Sequence, residues 1–259
     1  MNILVSNDDG IQAEGIGLLV QALSALPKTN VYVAAPSGER SAAGHSISMR
    51  KALLAEKVVF PGAEIAYSIE GSPADCVKLG CYLLKKEGIK IDVVFSGVNH
   101  GGNMGWDAHY SGTVSAAMEG IFCGVPAVAI SVEHHQPVNL QPAVEIGISI
   151  WQKVGGALKA GNMLNINLPD LPKEQLNGIK LTRLGPREYT KIFEERVEPD
   201  GRTGYWYGGE PVVYTKLNDE VDSVAVNHGF VSCTPLKWDL TDYSMLYDMQ
   251  DWDEKWEIE

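Results

Sequence analysis

Asn2-Ile3-Leu4-Val5-Ser6-Asn7-Asp8-Asp9-Gly10 decides the fold. Ile3, Leu4 and Val5 form a short apolar run of the kind that makes a strand buried on both faces. The run stops at Asn-Asp-Asp-Gly, a cluster of turn residues. Two adjacent carboxylates at the carboxyl end of a first parallel strand lie where open α/β sheets bind ligands. Side by side they repel unless one is protonated or a cation lies between them. Hard carboxylate oxygens suit Mg, Mn or Ca. A turn in which Asp8 or Asp9 caps the next helix is the other reading of the same residues.

The following segments extend the strand into a sheet. Ile16, Leu19, Val20, Leu23 and Leu26 recur at helical spacing, and Pro27 ends the pattern. Val31 to Ala35 is a second buried strand stopped by Pro36. A strand–helix–strand opening favours a parallel sheet with right-handed crossovers. The small, polar loop Ser37 to Ser46 leaves the second strand's carboxyl end, close to the first loop if the two strands are neighbours. Extended segments follow at 52–60 and 65–69. Ser72-Pro73-Ala74-Asp75 then reads as a helix start, with Ser at the N-cap, Pro next and an acid at the third position. That helix runs to about Lys86, and capping is the favoured role of Asp75 over catalysis.

Ile91 to Phe95 is a further buried strand, delivering Ser96-Gly97-Val98-Asn99-His100-Gly101-Gly102-Asn103-Met104-Gly105. Glycines and asparagines in such a loop imply close backbone approach to something. Ser111-Gly112-Thr113 begins an Ala-rich helix from Val114 to about Phe122. Free N–H groups and hydroxyls at a helix start suit phosphate, and simple capping explains Ser111 equally well. Strands are expected at 126–131 and 164–168, with a long amphipathic helix at 139–158 between them. From about residue 170 to 240 the chain is strand-rich, with Tyr189, Phe193, Tyr205, Trp206, Tyr207 and Tyr214 amid charge. This is too long for a loop and reads as a β-rich extension. A last helix is expected from about Tyr243 to Trp256, with Met245, Leu246, Met249, Trp252 and Trp256 packing.

Composition bounds the function. The chain has 259 residues, 45% hydrophobic and 21% charged, ordinary values for one large domain or one with an appendage. Net charge is −12, from 21 Lys+Arg against 33 Asp+Glu, so no general nucleic-acid surface is expected. Much of the excess lies after residue 247 and reads as a solvated tail. No apolar run approaches the roughly 20 residues of a membrane span, and the early first strand leaves no place for a signal peptide. Cys76, Cys81, Cys123 and Cys233 are scattered, which fits free thiols in a reducing cytoplasm.

Seven stretches, in order along nearly the whole chain, make a recognisable set. They are Asn7 to Gly10; Ala35-Pro36 with Arg40-Ser41 and Gly44-His45-Ser46; Ser72 to Cys76; Ser96 to Asn99 with Gly101 and Asn103; Tyr110 to Thr113; Asn167-Leu168-Pro169; and Val231-Ser232 with Thr234-Pro235-Leu236. With these the chain resembles the SurE (survival protein) nucleotidase family. The resemblance implies a phosphatase using one divalent metal ion per subunit, Mg or Mn, on 5′- and also 3′-nucleoside monophosphates, with short polyphosphates possible substrates. It places the metal on Asp8, Asp9, Ser41 and Asn99, with Asp8 and Asp9 the catalytic pair. Asn7, Asn103, Ser111, Gly112 and Thr113 would line the phosphate site. It implies a Rossmann-like α/β core over 1–169, mostly parallel with helices on both faces. A β-rich portion over 170–259 would serve homodimer or homotetramer assembly through exchanged arms. Trp106-Asp107 stands where the family commonly has an acidic pair, and His109 replaces an aliphatic residue, so the rim of the site is this chain's own.

His45 and His100 are candidate general acids, since both lie in site loops and histidine titrates in the right range; polar loop histidines are also often bystanders. A phospho-signalling receiver would need an acceptor Asp after its third strand, a dinucleotide enzyme Gly-x-Gly-x-x-Gly, and a serine hydrolase Gly-x-Ser-x-Gly. None is met here. A non-catalytic nucleotide-binding or sensing protein remains the alternative.

Overall fold

A computed structural model describes residues 1–250. A nine-stranded sheet runs through the molecule, built from β1 (Asn2–Ser6), β2 (Asn30–Pro36), β3 (Ala55–Val58), β4 (Ile65–Ile69), β5 (Val93–His100), β6 (Ala127–Glu133), β7 (Asn162–Pro169), β8 (Ile179–Leu181) and β11 (Val231–Lys237). Its order is β3-β4-β2-β1-β5-β6-β7-β11-β8. The strands from β4 to β7 are parallel; β3 and β11 are antiparallel to β4 and β7.

Helices cover both faces, as the buried strand runs require. The side chains of Ile3, Val5, Val31, Val33, Val93, Phe95, Val128 and Ile130 meet α1 (Glu14–Ser24) and α4 (Leu140–Val154). Trp151 of α4 sets its ring edge against Phe95, centroids 5.7 Å apart at 80°. The alternate residues Leu4, Ala34, Val94, Ala127 and Ala129 meet α2 (Pro73–Lys86) and α3 (Gly112–Phe122). This period-two split of apolar strands between two helical layers is the signature of a doubly covered parallel sheet.

Local signals act as expected at α2. The Ser72 hydroxyl accepts the Asp75 N–H at 3.0 Å while the Asp75 carboxylate accepts the Ser72 N–H at 3.0 Å, a reciprocal cap. Asp75 also accepts from the Ser48 N–H and hydroxyl. Burial raises its carboxyl pKa, but these hydrogen bonds outweigh that and hold it below the usual range.

After residue 170 the chain packs back on the core. β8 and β11 complete the main sheet, since β11 pairs with β7 over six residues. Among the described residues, only the hairpin of β9 (Phe193–Val197) and β10 (Thr203–Tyr207) stands outside it. A short helix, α5 (Asp222–Asn227), also lies in this stretch, which the sequence reads as strand-rich. The last helix, α6, covers Tyr243–Asp248; Trp252, Trp256 and the acidic end lie outside the described residues.

Candidate functional site

The strand order reverses direction at β1 and β5. From β1 the chain builds outward through β2 and β4, then returns to lay β5 on the other side of β1. Adjacent loops diverge there, opening a crevice at the carboxyl ends of the strands. The Asn7-Asp8-Asp9-Gly10 turn leaves β1 into this crevice, and the Asn99–Gly105 segment leaves β5 beside it. The His100 N–H donates to Asp9 Oδ2 at 3.4 Å, joining the two.

Asp8 is only 5% exposed. Its Oδ1 accepts the Thr113 hydroxyl from the first turn of α3. Gly112 is needed at this approach: a Cβ there would lie 2.7 Å from the Asp8 Cβ. Burial drives the Asp8 pKa up to about 6, and the Asp9 charge adds to that against the Thr113 hydrogen bond. Burial likewise lifts the Asp9 carboxyl, opposed by His100. Both carboxylates therefore sit where an added positive charge is favourable.

Two further loops complete the crevice. The Ser37–Ser46 loop is pinned to the first turn by the Arg40 N–H on the Asp8 carbonyl at 2.7 Å, and to the far wall by the Gly44 N–H on the Tyr110 carbonyl at 2.9 Å. Ser41 on this loop is exposed, its hydroxyl donating to Glu39 at 2.7 Å. Asn99 donates from Nδ2 to the Gly101 carbonyl at 2.6 Å, which leaves Oδ1 as its remaining acceptor. Asn103 is clamped in place. Its N–H donates to Asn167 Oδ1 at 2.7 Å, its carbonyl accepts from Asn165 at 2.7 Å, and its own Nδ2 donates to the Ser131 hydroxyl at 2.8 Å.

These groups share one cavity of about 610 Å³, lined by Asp8, Ser41, Asn99, His100, Asn103, Asp107, Ser111 and Tyr110, with His135, Tyr189 and Tyr207. Asp107 belongs to a short 3₁₀ turn, Gly105–His109, held by the later chain. Asp222 on α5 accepts the Gly105 N–H at 2.7 Å and the Gly185 N–H at 3.2 Å. Gly105 has φ +52°, and a Cβ there would meet the Gly185 carbonyl at 2.4 Å. Asp107 in turn binds the buried Arg187 at 3.3 Å and the Tyr189 hydroxyl, while Arg187 pairs with Glu133.

The expected site residues thus fall in three places. Asp8, Ser41, Asn99, Asn103 and Ser111 face the cavity. Gly112 and Thr113 back Asp8 from behind, and Asp9 lies beside His100. Asn7 is fully buried; its side-chain amide donates to the Gly10 carbonyl at 2.8 Å, and its Oδ1 has no partner among the described residues. Ser111 Oγ accepts the Val114 N–H at 3.0 Å as the cap of α3, which leaves its O–H free to donate into the cavity. Of the two candidate general acids, His100 lines this cavity. His45 instead reaches the buried Glu119 at 2.9 Å, stacks on Phe122, and lines a separate space of about 250 Å³. His135, Arg187, Glu133, Asn165 and Asp222 were not foreseen. Of these, Asn165 with Asn167 left a signal: polar residues two apart inside an apolar strand point to one face and need partners.

The donor set fits a hard divalent ion. Among the described residues no three histidine, cysteine, aspartate or glutamate side chains converge for a metal. An ion held here would rest on the Asp8–Asp9 pair and complete its shell with neutral oxygens such as Asn99 Oδ1 and Ser41 Oγ. Oxygen-only ligands of this kind suit Mg or Mn rather than zinc.

The fold and site define a Rossmann-like α/β protein whose ligand crevice, at the sheet's switch point, combines adjacent carboxylates, one of them buried, with a helix start. Within that class the chain belongs to the family described as Survival protein SurE, which matches residues 3–191. It is 43% identical over 254 residues to the 5′-nucleotidase SurE of Heliobacterium modesticaldum, covering 97% of this chain and 92% of that one. It is 44% identical to the 5′-nucleotidase SurE of Desulforamulus reducens, covering 97% and 98%. The crystal structure of the SurE protein from Aquifex aeolicus superposes with a TM-score of 0.83 at 35% identity, covering 98% of this chain and all of that one. Among the described residues no helix is long and apolar enough to cross a membrane.

Proposed function

We propose that this chain is a metal-dependent 5′-nucleotidase that hydrolyses nucleoside monophosphates to nucleoside and phosphate, with 3′-nucleotides and short polyphosphates as further substrates. The observation that carries this reading is the buried Asp8 facing one cavity with Asn99, Ser41 and the Ser111 helix start, with Asp9 next to it in the same turn, in a chain whose relatives are 5′-nucleotidases.

Asp8, Asp9, Ser41 and Asn99 would hold one Mg or Mn ion, which supplies charge withdrawal from the phosphoryl group and a water of lowered pKa. The chain's own groups do the rest. The Ser111 hydroxyl and the unpaired N–H groups opening α3 donate to the equatorial phosphoryl oxygens as charge spreads onto them. A carboxylate oxygen of Asp9 accepts the proton of the attacking water. The Asn103 clamp fixes the loop that carries Asn99, so these groups meet the phosphate already placed. With both carboxylates engaged, water attacks directly and no phosphorylated aspartate forms. The exposed aromatic hairpin β9–β10 would serve as the arm of a homodimer or homotetramer, and the setting would be cytoplasmic.

Phosphate release from a panel of nucleoside monophosphates, with Mg, Mn or chelator, tests the reading. Metal-dependent turnover that Asp8→Asn abolishes is expected. Folded protein that binds nucleotide but releases no phosphate with any metal would make it a nucleotide-binding protein instead.

A further inference from the structure

Much of the cavity wall has no part in phosphate chemistry. It includes three tyrosines, Tyr110, Tyr189 and Tyr207, and among the described residues not one lysine or arginine. A phosphate occupies a small part of about 610 Å³, so a larger group attached to it shares the cavity with these aromatic rings. A second or third phosphate would find no free cation on the wall, whereas a flat, uncharged ring would find stacking partners.

The tyrosines are held unequally. The Tyr189 hydroxyl donates to Asp107, and the Arg187 guanidinium lies 5.8 Å from its ring centroid. Arg187 is itself buried and ion-paired with Glu133 and Asp107. Burial and the bond to Asp107 push the Tyr189 hydroxyl pKa up to about 12, so it stays a donor. Tyr207 ends β10 and is 67% exposed. Its ring stands 6.4 Å from Tyr189 at 58°, and Phe193 supports it edge-on at 5.8 Å. One ring is held from the protein's interior and the other stands exposed at the end of a hairpin.

We propose that Tyr189 and Tyr207 form the nucleobase platform of the site, Tyr189 as its fixed wall and Tyr207 as the face that closes on the base. This rests on the nucleotidase reading above and names what the site recognises beyond phosphate. Every base offers a π-face, so such a platform accepts purines and pyrimidines alike. It also ranks nucleoside monophosphates above polyphosphate chains. The Asp107–Arg187–Glu133 set acts as a positioning group that keeps the Tyr189 ring in place.

Steady-state kinetics with AMP, UMP and glycerol phosphate, which has no base, test this in Tyr207→Ala and Tyr207→Trp. Stacking of this kind implies that Tyr207→Ala raises KM for both nucleotides about tenfold or more and lowers the preference for AMP over glycerol phosphate by the same factor. Tyr207→Trp restores that preference. Calorimetry with adenosine gives a readout that needs no turnover: weaker binding to Tyr207→Ala is expected even if the chain releases no phosphate. Equal losses on AMP and glycerol phosphate, unchanged adenosine binding, or a shifted oligomeric state as the sole effect would overturn the proposal.

Discussion

Replacing Asp8 by Asn should stabilise the metal-free protein while removing its activity. Folded Asp8 ionises near 6 instead of 3.8, chiefly because burial disfavours its charge. Between those values the folded chain holds a proton that the unfolded chain has released, so stability falls as pH rises through the window. Above pH 6 the full cost of the buried charge is present, about 3 kcal/mol at 1.36 kcal/mol per pH unit. Asn keeps the acceptor for the Thr113 hydroxyl and carries no charge, so the variant avoids that cost. The assay is thermal unfolding in chelator between pH 4 and 8. At pH 7.5 the variant should melt about 5 °C higher, from the unfolding entropy of a chain this size, and the gap should close as pH falls toward 4. Added Mg or Mn should raise the melting temperature of the wild type and leave the variant unmoved. A variant no more stable than the wild type at pH 7.5, or a gap that ignores pH, would refute the reasoning.

Ser72→Ala removes the acceptor for the Asp75 N–H and a donor to the Ser46 carbonyl. Urea unfolding should show a loss of about 1 kcal/mol, the usual worth of such a cap. His45→Asn should leave kcat/KM for AMP within about twofold, because His45 faces Glu119 and not the cavity; a general acid would cost about 10²–10⁴, and a fall of that size would place it at the phosphate.

The parallel core was legible because its strands are unbroken apolar runs, and its helices announce themselves by caps and periodicity. The Asp8–Asp9 turn, Asn99 and Ser111 were legible for the same reason: each follows directly on a readable element. The last third was not. β8 is three residues long, and β11 enters the sheet beside a strand about 60 residues earlier, so nothing local marks either as core. The N-cap of α5, Val221, offers no side-chain cap, and the helix's six residues are too few for a periodic pattern. The Asn7 amide bond to the Gly10 carbonyl was not legible, because a turn asparagine that bonds its own loop cannot be told by sequence from one that faces a ligand. Tyr189 and Tyr207 stood out as aromatics, yet their place beside Asp107 is set by contacts across some 80 residues.

β8 borders only β11, and about 50 residues of chain separate Leu181 from Val231. On a ribosome that interval takes several seconds at about 5–20 residues per second. Throughout it β8 has no strand to join, and β7 offers one bare edge of N–H and C=O groups to any other strand nearby. Asp222, which ties down the turn carrying Asp107, emerges only at the end of the same interval. The site therefore becomes whole late in synthesis, and a chaperone that shields the β7 edge would guard both solubility and the finished rim at once.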